Sequence, residues 1–83
     1  MPTLMTAGPY RFFIVMRDCQ ERAHVHVTGG GRGDAKCWLV PAVEVAANRG
    51  YTRHELDRIE GIARDKRAEL IRRWNDECGT PSP

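Results

Sequence analysis

With 83 residues the chain has room for one small domain and a thin core, so each element must pack against the others. No apolar run approaches the roughly 20 residues that cross a bilayer, which excludes a helical membrane span. A formal charge of +2 does not announce a nucleic-acid binder. The bases are nearly all arginine, a bias that suits bidentate phosphate or carboxylate contact but that a GC-rich genome also produces.

The opening residues Met1 to Gly8 hold no basic region leading into a long apolar core. They do not read as a signal peptide, and a cytoplasmic location is the default expectation. The odd number of cysteines (Cys19, Cys37, Cys78), their wide spacing and the lack of Cys-x-x-Cys predict reduced thiols. Cys19, in a polar loop, is the one with a chance of being exposed and reactive.

In chain order, residues 3–6 predict a short edge strand. Residues 10–17, rich in aromatic and β-branched side chains, predict a longer one. After the polar stretch Arg17 to Arg22, strands over 23–28 and 34–40 flank the loop Gly29 to Gly33 as a hairpin with a flexible tip. Pro41 interrupts the second of these, and residues 42–46 predict a further short strand before a turn at Asn48-Arg49-Gly50. The pattern then changes period. Thr52 with Glu55 forms a capping box, Tyr51 and Leu56 are placed as a hydrophobic staple, and Leu56, Ile59, Ile62, Ala63, Leu70, Ile71 and Trp74 recur at helical spacing. One long helix over residues 53–77 is expected, weakened at Gly61 and stopped by Gly79 and Pro81. Its Glu and Arg residues read as a solvated face. Together these elements predict an α+β fold over residues 1–83 as a single domain. A small antiparallel sheet of three to five strands carries one long C-terminal amphipathic helix on one face.

The most informative stretch is His24-Val25-His26-Val27. Alternate side chains on a strand share a face, so the two valines point one way and the two histidines the other. If the hairpin is symmetric about Gly31, His26 lies opposite Lys36 and His24 opposite Trp38. Val25, Val27, Ala35, Cys37 and Leu39 then face the helix. His24, His26, Lys36 and Trp38 share the open face, with Phe13 and either Arg11 or Arg17 alongside. A one-residue slip would bury Lys36, which costs too much to compete.

Imidazoles two residues apart are separated by about 6.5–7 Å at Cα and can flank one phosphate as general base and general acid. With Lys36 to stabilise developing negative charge, that is a metal-independent ribonuclease constellation. Trp38 and Phe13 could stack unpaired bases. The plainer reading, in which the same residues pack or form a protein interface, stands beside it. A metal is the third reading. His-x-His supplies two ligands where a catalytic zinc site needs three and a structural one four. The others are hard to name, since Cys37 should face the core and His54 sits beside the helix cap. No cofactor is expected, and any metal would fall to His24 and His26. The glycine-rich loop does not feed a helix and is no phosphate cradle, although Arg32 at its tip is placed to touch a phosphate or a partner.

The order of these pieces resembles a family of small bacterial proteins known only as domain of unknown function 4160. The resemblance rests on Pro2-Thr3, Tyr10-Arg11-Phe12-Phe13, His24-Val25-His26-Val27, Ala35-Lys36 with Trp38-Leu39, Asn48-Arg49-Gly50-Tyr51, Glu55-Leu56 with Ile59, and Trp74-Asn75. One departure is Arg22-Ala23, where members usually carry proline before the first histidine. The resemblance implies a cytoplasmic one-domain protein, often encoded beside a second small protein. Some such pairs look like type II toxin–antitoxin modules with this family in the toxin role. The expectation is therefore a toxin-like protein acting on RNA. His24 and His26 serve as acid and base, Lys36 and Arg11 as phosphate contacts, and Trp38, with Phe13 and Arg32, as a contact surface. Its partners are a cognate small antitoxin-like protein and RNA, not a membrane. The edge strand at Pro2 to Thr6 leaves a homodimer open. The alternative is a non-enzymatic module whose sheet binds protein or nucleic acid.

Overall fold

The computed structural model describes residues 2–79. Five strands form one antiparallel sheet in sequence order: β1 (Thr3–Ala7), β2 (Tyr10–Phe13), β3 (His24–Gly29), β4 (Asp34–Trp38) and β5 (Glu44–Arg49). A 3-10 turn, Met16–Gln20, lies between β2 and β3, and α1 (Arg53–Asp65) and α2 (Arg67–Cys78) follow the sheet. The expected α+β architecture is what the chain adopts, with the sheet at the upper end of the expected strand number.

Several boundaries move for identifiable reasons. The expected strand 10–17 ends at Phe13, because Asp18 and Glu21 donate backbone N–H groups to Val15 and Asp18 and wind the next residues into the 3-10 turn. The strand expected at 42–46 begins at Glu44 and continues to Arg49, drawing Asn48 and Arg49 out of the expected turn and into pairing with β4. The helical region expected over 53–77 is present and runs to Cys78, with a single turn residue, Lys66, dividing it into α1 and α2. The division does not fall at Gly61, where an added Cβ would meet nothing within 4 Å. The capping box at Thr52 and Glu55 is present, and Gly79 closes α2 in the left-handed conformation at φ 73°.

The hairpin register matches its expected symmetry: His24 lies opposite Trp38, Val25 opposite Cys37 and His26 opposite Lys36. Pleat parity therefore sends Val25, Val27, Ala35 and Cys37 into the core, where Phe12, Leu39, Ile59, Leu70 and Trp74 join them. The glycine loop is not a free tip. The Tyr51 hydroxyl donates to the Gly29 carbonyl at 2.7 Å, and a Cβ on Gly33 would meet the Tyr51 ring at 2.6 Å. Glycine is required there so that the loop can close over the tyrosine.

The cysteines depart most from expectation. Cys19, in the 3-10 turn, is bonded to Cys78 at the end of α2, and only Cys37 is free. Cys37 is buried, and desolvation, followed by the charge of Glu60, pushes its thiol up to about 11. It is an inert core residue, and Cys19 is no exposed thiol. Wide sequence spacing hid the pairing: the two cysteines are 59 residues apart and are joined only by the fold. Closing so long a loop restricts the unfolded chain, which corresponds to a stabilisation of about 4 kcal/mol in the chain-entropy account. Urea unfolding of the oxidised protein and of the Cys19→Ser/Cys78→Ser variant should differ by about that amount; a difference below about 1 kcal/mol would show that the bridge contributes little.

Candidate functional site

The 3-10 turn folds back over the start of β3 and places Asp18 against both histidines. The Asp18 Oδ2 atom lies 3.3 Å from His24 Nε2 and 3.1 Å from His26 Nε2. The other ring nitrogen of His24, Nδ1, is 3.0 Å from the Arg22 carbonyl. A carbonyl only accepts, so His24 Nδ1 carries a proton and donates it. The three donor atoms Asp18 Oδ2, His24 Nε2 and His26 Nε2 lie within 4.8 Å of one another. Burial falls off outward through this cluster. The His24 side chain is 0% exposed, Asp18 18% and His26 26%.

His24 corrects the expectation of an open, wet face. Its ring is closed in by Trp74 of α2 at 4.9 Å, by Trp38 of β4 at 5.5 Å and by His26 at 5.2 Å. Parity does keep His24 off the valine face, but Trp74 and the 3-10 turn cover the sheet at the N-terminal end of β3. The Cys19–Cys78 bridge ties that turn to α2, so the cover is fixed at both ends.

Beyond this corner the face is half-exposed and built of alternating rings and cations. The Arg11 guanidinium sits 4.6 Å from the Phe13 ring centre, and Phe13 stacks on His26 at 5.5 Å with an interplanar angle of 27°. Over Trp38 of β4, Lys36 Nζ and the guanidinium of Arg22, which precedes β3, lie 4.5 and 4.0 Å from the ring centre. Lys36 also donates to Glu21 Oε1 at 2.7 Å. The Glu21 side chain is 44% exposed, and an ion pair so exposed is worth about 0–1 kcal/mol, little enough for a phosphate to displace it.

The structure thus brings Arg11, Phe13, His26, Lys36 and Trp38 together on one surface, as expected, with His24 beneath it. Arg32 is exposed at the far hairpin tip and takes no part. Three participants were not foreseen: Asp18, Arg22 and Trp74. Asp18 lies in a stretch that reads only as polar, and the helical spacing of Trp74 predicts a core position, which it also occupies. Arg67 was expected on a solvated face but donates to the Leu39 and Pro41 carbonyls at 2.6 and 3.1 Å, anchoring α2 to the end of β4. A surface pocket of about 410 Å³ lies beside it, lined by Pro41, Ala42, Val43, Arg64 and Arg67, and shares no residue with the histidine cluster.

Sheet and corner together define a small α+β protein whose chemistry-bearing residues converge on one end of an antiparallel meander. Residues 10–75 match the family described as Domain of unknown function (DUF4160), and the chain belongs to that family. The match takes in the 3-10 turn, both histidines and Trp74, hence every side chain of the corner. No curated protein and no solved structure matches the chain. Among the described residues no helix is long and apolar enough to cross a membrane.

Burial alone would raise the Asp18 carboxyl. The hydrogen bonds from His26 and His24, together with their charges, outweigh it and hold the group below its ordinary 3.8. A carboxylate depressed in the folded state stabilises the fold above its unfolded value, and that contribution is lost as pH falls through the folded value. In chelator-treated protein, stability to urea should therefore drop as pH falls below about 3.8, and Asp18→Asn should flatten this part of the profile. Superimposable profiles would show that Asp18 is not held by the histidines.

Proposed function

We propose that this chain is the toxin-like component of a bacterial toxin–antitoxin pair and that it acts on RNA through the face of β2, β3 and β4. The observation that carries the proposal is the ladder of half-exposed rings and cations, in which Arg11, Phe13 and His26 stack in sequence and Lys36 and Arg22 flank Trp38. Unpaired bases stack on aromatic rings displayed by a sheet, and neighbouring guanidinium and ammonium groups contact the backbone between them. The modest net charge of +2 favours this mode over binding by bulk electrostatics. Resemblance to small proteins encoded in pairs supports the toxin-like role, and the same face is where a cognate antitoxin would cover the site.

The buried position of His24 changes the chemistry assigned to the pair. With its side chain 0% exposed, His24 does not reach a phosphate laid on the sheet, whereas His26 does. His26 is the imidazole at the RNA surface, with Asp18 behind it to fix the ring. His24 supports the arrangement from below.

Fluorescence anisotropy with a labelled single-stranded RNA tests the reading. Phe13→Ala and Trp38→Ala should each weaken binding by roughly tenfold or more, in keeping with the worth of one stacked base. Lys36→Ala should lower the salt dependence. Induced expression of the wild type should slow growth, and the two aromatic variants should relieve it. Wild-type protein that binds no RNA, or aromatic variants that bind as tightly as wild type, would sink the proposal.

A further inference from the structure

We infer that Asp18, His24 and His26 form a binding site for one divalent transition-metal ion of the zinc type. The inference stands apart from the RNA reading, because it rests on how three donor atoms and one committed proton are arranged.

His24 donates from Nδ1 to the Arg22 carbonyl. In the neutral ring the proton on Nδ1 leaves a bare lone pair on Nε2. That lone pair points at Asp18 Oδ2, 3.3 Å away, itself an acceptor. In that state two lone pairs face each other beneath a tryptophan. A second ring proton removes the conflict, as it does when His24 is charged and donates to Asp18, and a metal ion between the atoms removes it for the neutral ring. The same oxygen is also approached by His26 Nε2 at 3.1 Å, so one centre serves all three atoms.

The spacing suits a metal. Ligand bonds of about 2.0–2.1 Å place neighbouring donors about 2.8–3.0 Å apart in octahedral and about 3.3–3.4 Å apart in tetrahedral geometry. Two edges of the triangle, at 3.1 and 3.3 Å, already fall within that span. All three atoms lie within 4.8 Å of one another, so a side-chain adjustment of at most about 1.4 Å closes the third.

The surroundings point the same way. A metal-bound histidine characteristically donates its other N–H to a carbonyl or carboxylate, which orients the ring and raises its basicity. His24 Nδ1 does this with Arg22. Trp74 and Trp38 hold the same ring from the sides, and stacking on Phe13 restrains His26. Two imidazoles and one carboxylate are a first-row transition-metal set. Three protein ligands leave coordination positions for water or a phosphate oxygen. Those positions face outward, since exposure rises from His24 through Asp18 to His26.

The test uses the full-length, untagged, chelator-treated protein with the metal alone. Calorimetric titration with Zn²⁺ and visible spectroscopy with Co²⁺ should show one ion per chain. His26→Ala should weaken binding by 100-fold or more and Asp18→Asn by tenfold or more, while His54→Ala, on the exposed start of α1, should bind as wild type. A variant-free measurement guards against misfolding: in the wild type, Zn²⁺ should shift the ring resonances of His24 and His26 and leave those of His54 in place. Folded wild-type protein that takes up no stoichiometric metal would overturn the inference, as would ring resonances that ignore Zn²⁺ or folded variants that bind like wild type. No RNA is present, so failure of the RNA reading leaves this outcome unchanged.

Discussion

One oxygen organises this protein's chemistry. Asp18 Oδ2 receives both imidazoles, and this contact exists only because the chain after β2 winds into a 3-10 turn instead of continuing as a strand. The Cys19–Cys78 bridge fastens the residue next to Asp18 to the end of α2. The same helix presents Trp74 to His24. Under the turn and Trp74 one ring is enclosed while its neighbour remains at the surface.

Enclosing His24 has an energetic condition. A buried ring nitrogen without a partner is costly; here Nδ1 donates to the Arg22 carbonyl, and Nε2 faces Asp18, a contact that is favourable only with a proton or a metal ion between the two atoms. No buried side-chain nitrogen or oxygen among the described residues lacks a hydrogen-bond partner. The surrounding tryptophans therefore act on a ring whose orientation is already fixed by polar contacts. An assembly held this tightly suits a ligand set or an oriented acid–base group better than a surface that adapts to many partners.

How much of this was legible depends on the range of the signal. Pleat parity is a local rule, and it placed Val25, Val27, Ala35 and Cys37 in the core and paired His26 with Lys36 correctly. The capping box at Thr52 was equally local and is present. The corner is different, because it depends on contacts between distant parts of the chain. Nothing in Arg17 to Arg22 marks Asp18 as the residue that will reach over β3, and nothing near Cys19 points to Cys78. Trp74 carried a helical-core signal that was correct and incomplete, since its ring both joins the core and closes over His24. Face assignment told where the histidines point, and only the tertiary cover decided that one of them is dry.

The proton at His24 Nδ1 leaves Nε2 facing Asp18 and makes the corner a place for a positive centre. Long-range nitrogen–proton correlation spectra of the metal-free protein report which ring nitrogen of each histidine is protonated. The account predicts a protonated, hydrogen-bonded Nδ1 on His24, slow to exchange with solvent. A His24 ring carrying its only proton on Nε2, with Nδ1 bare, would contradict it.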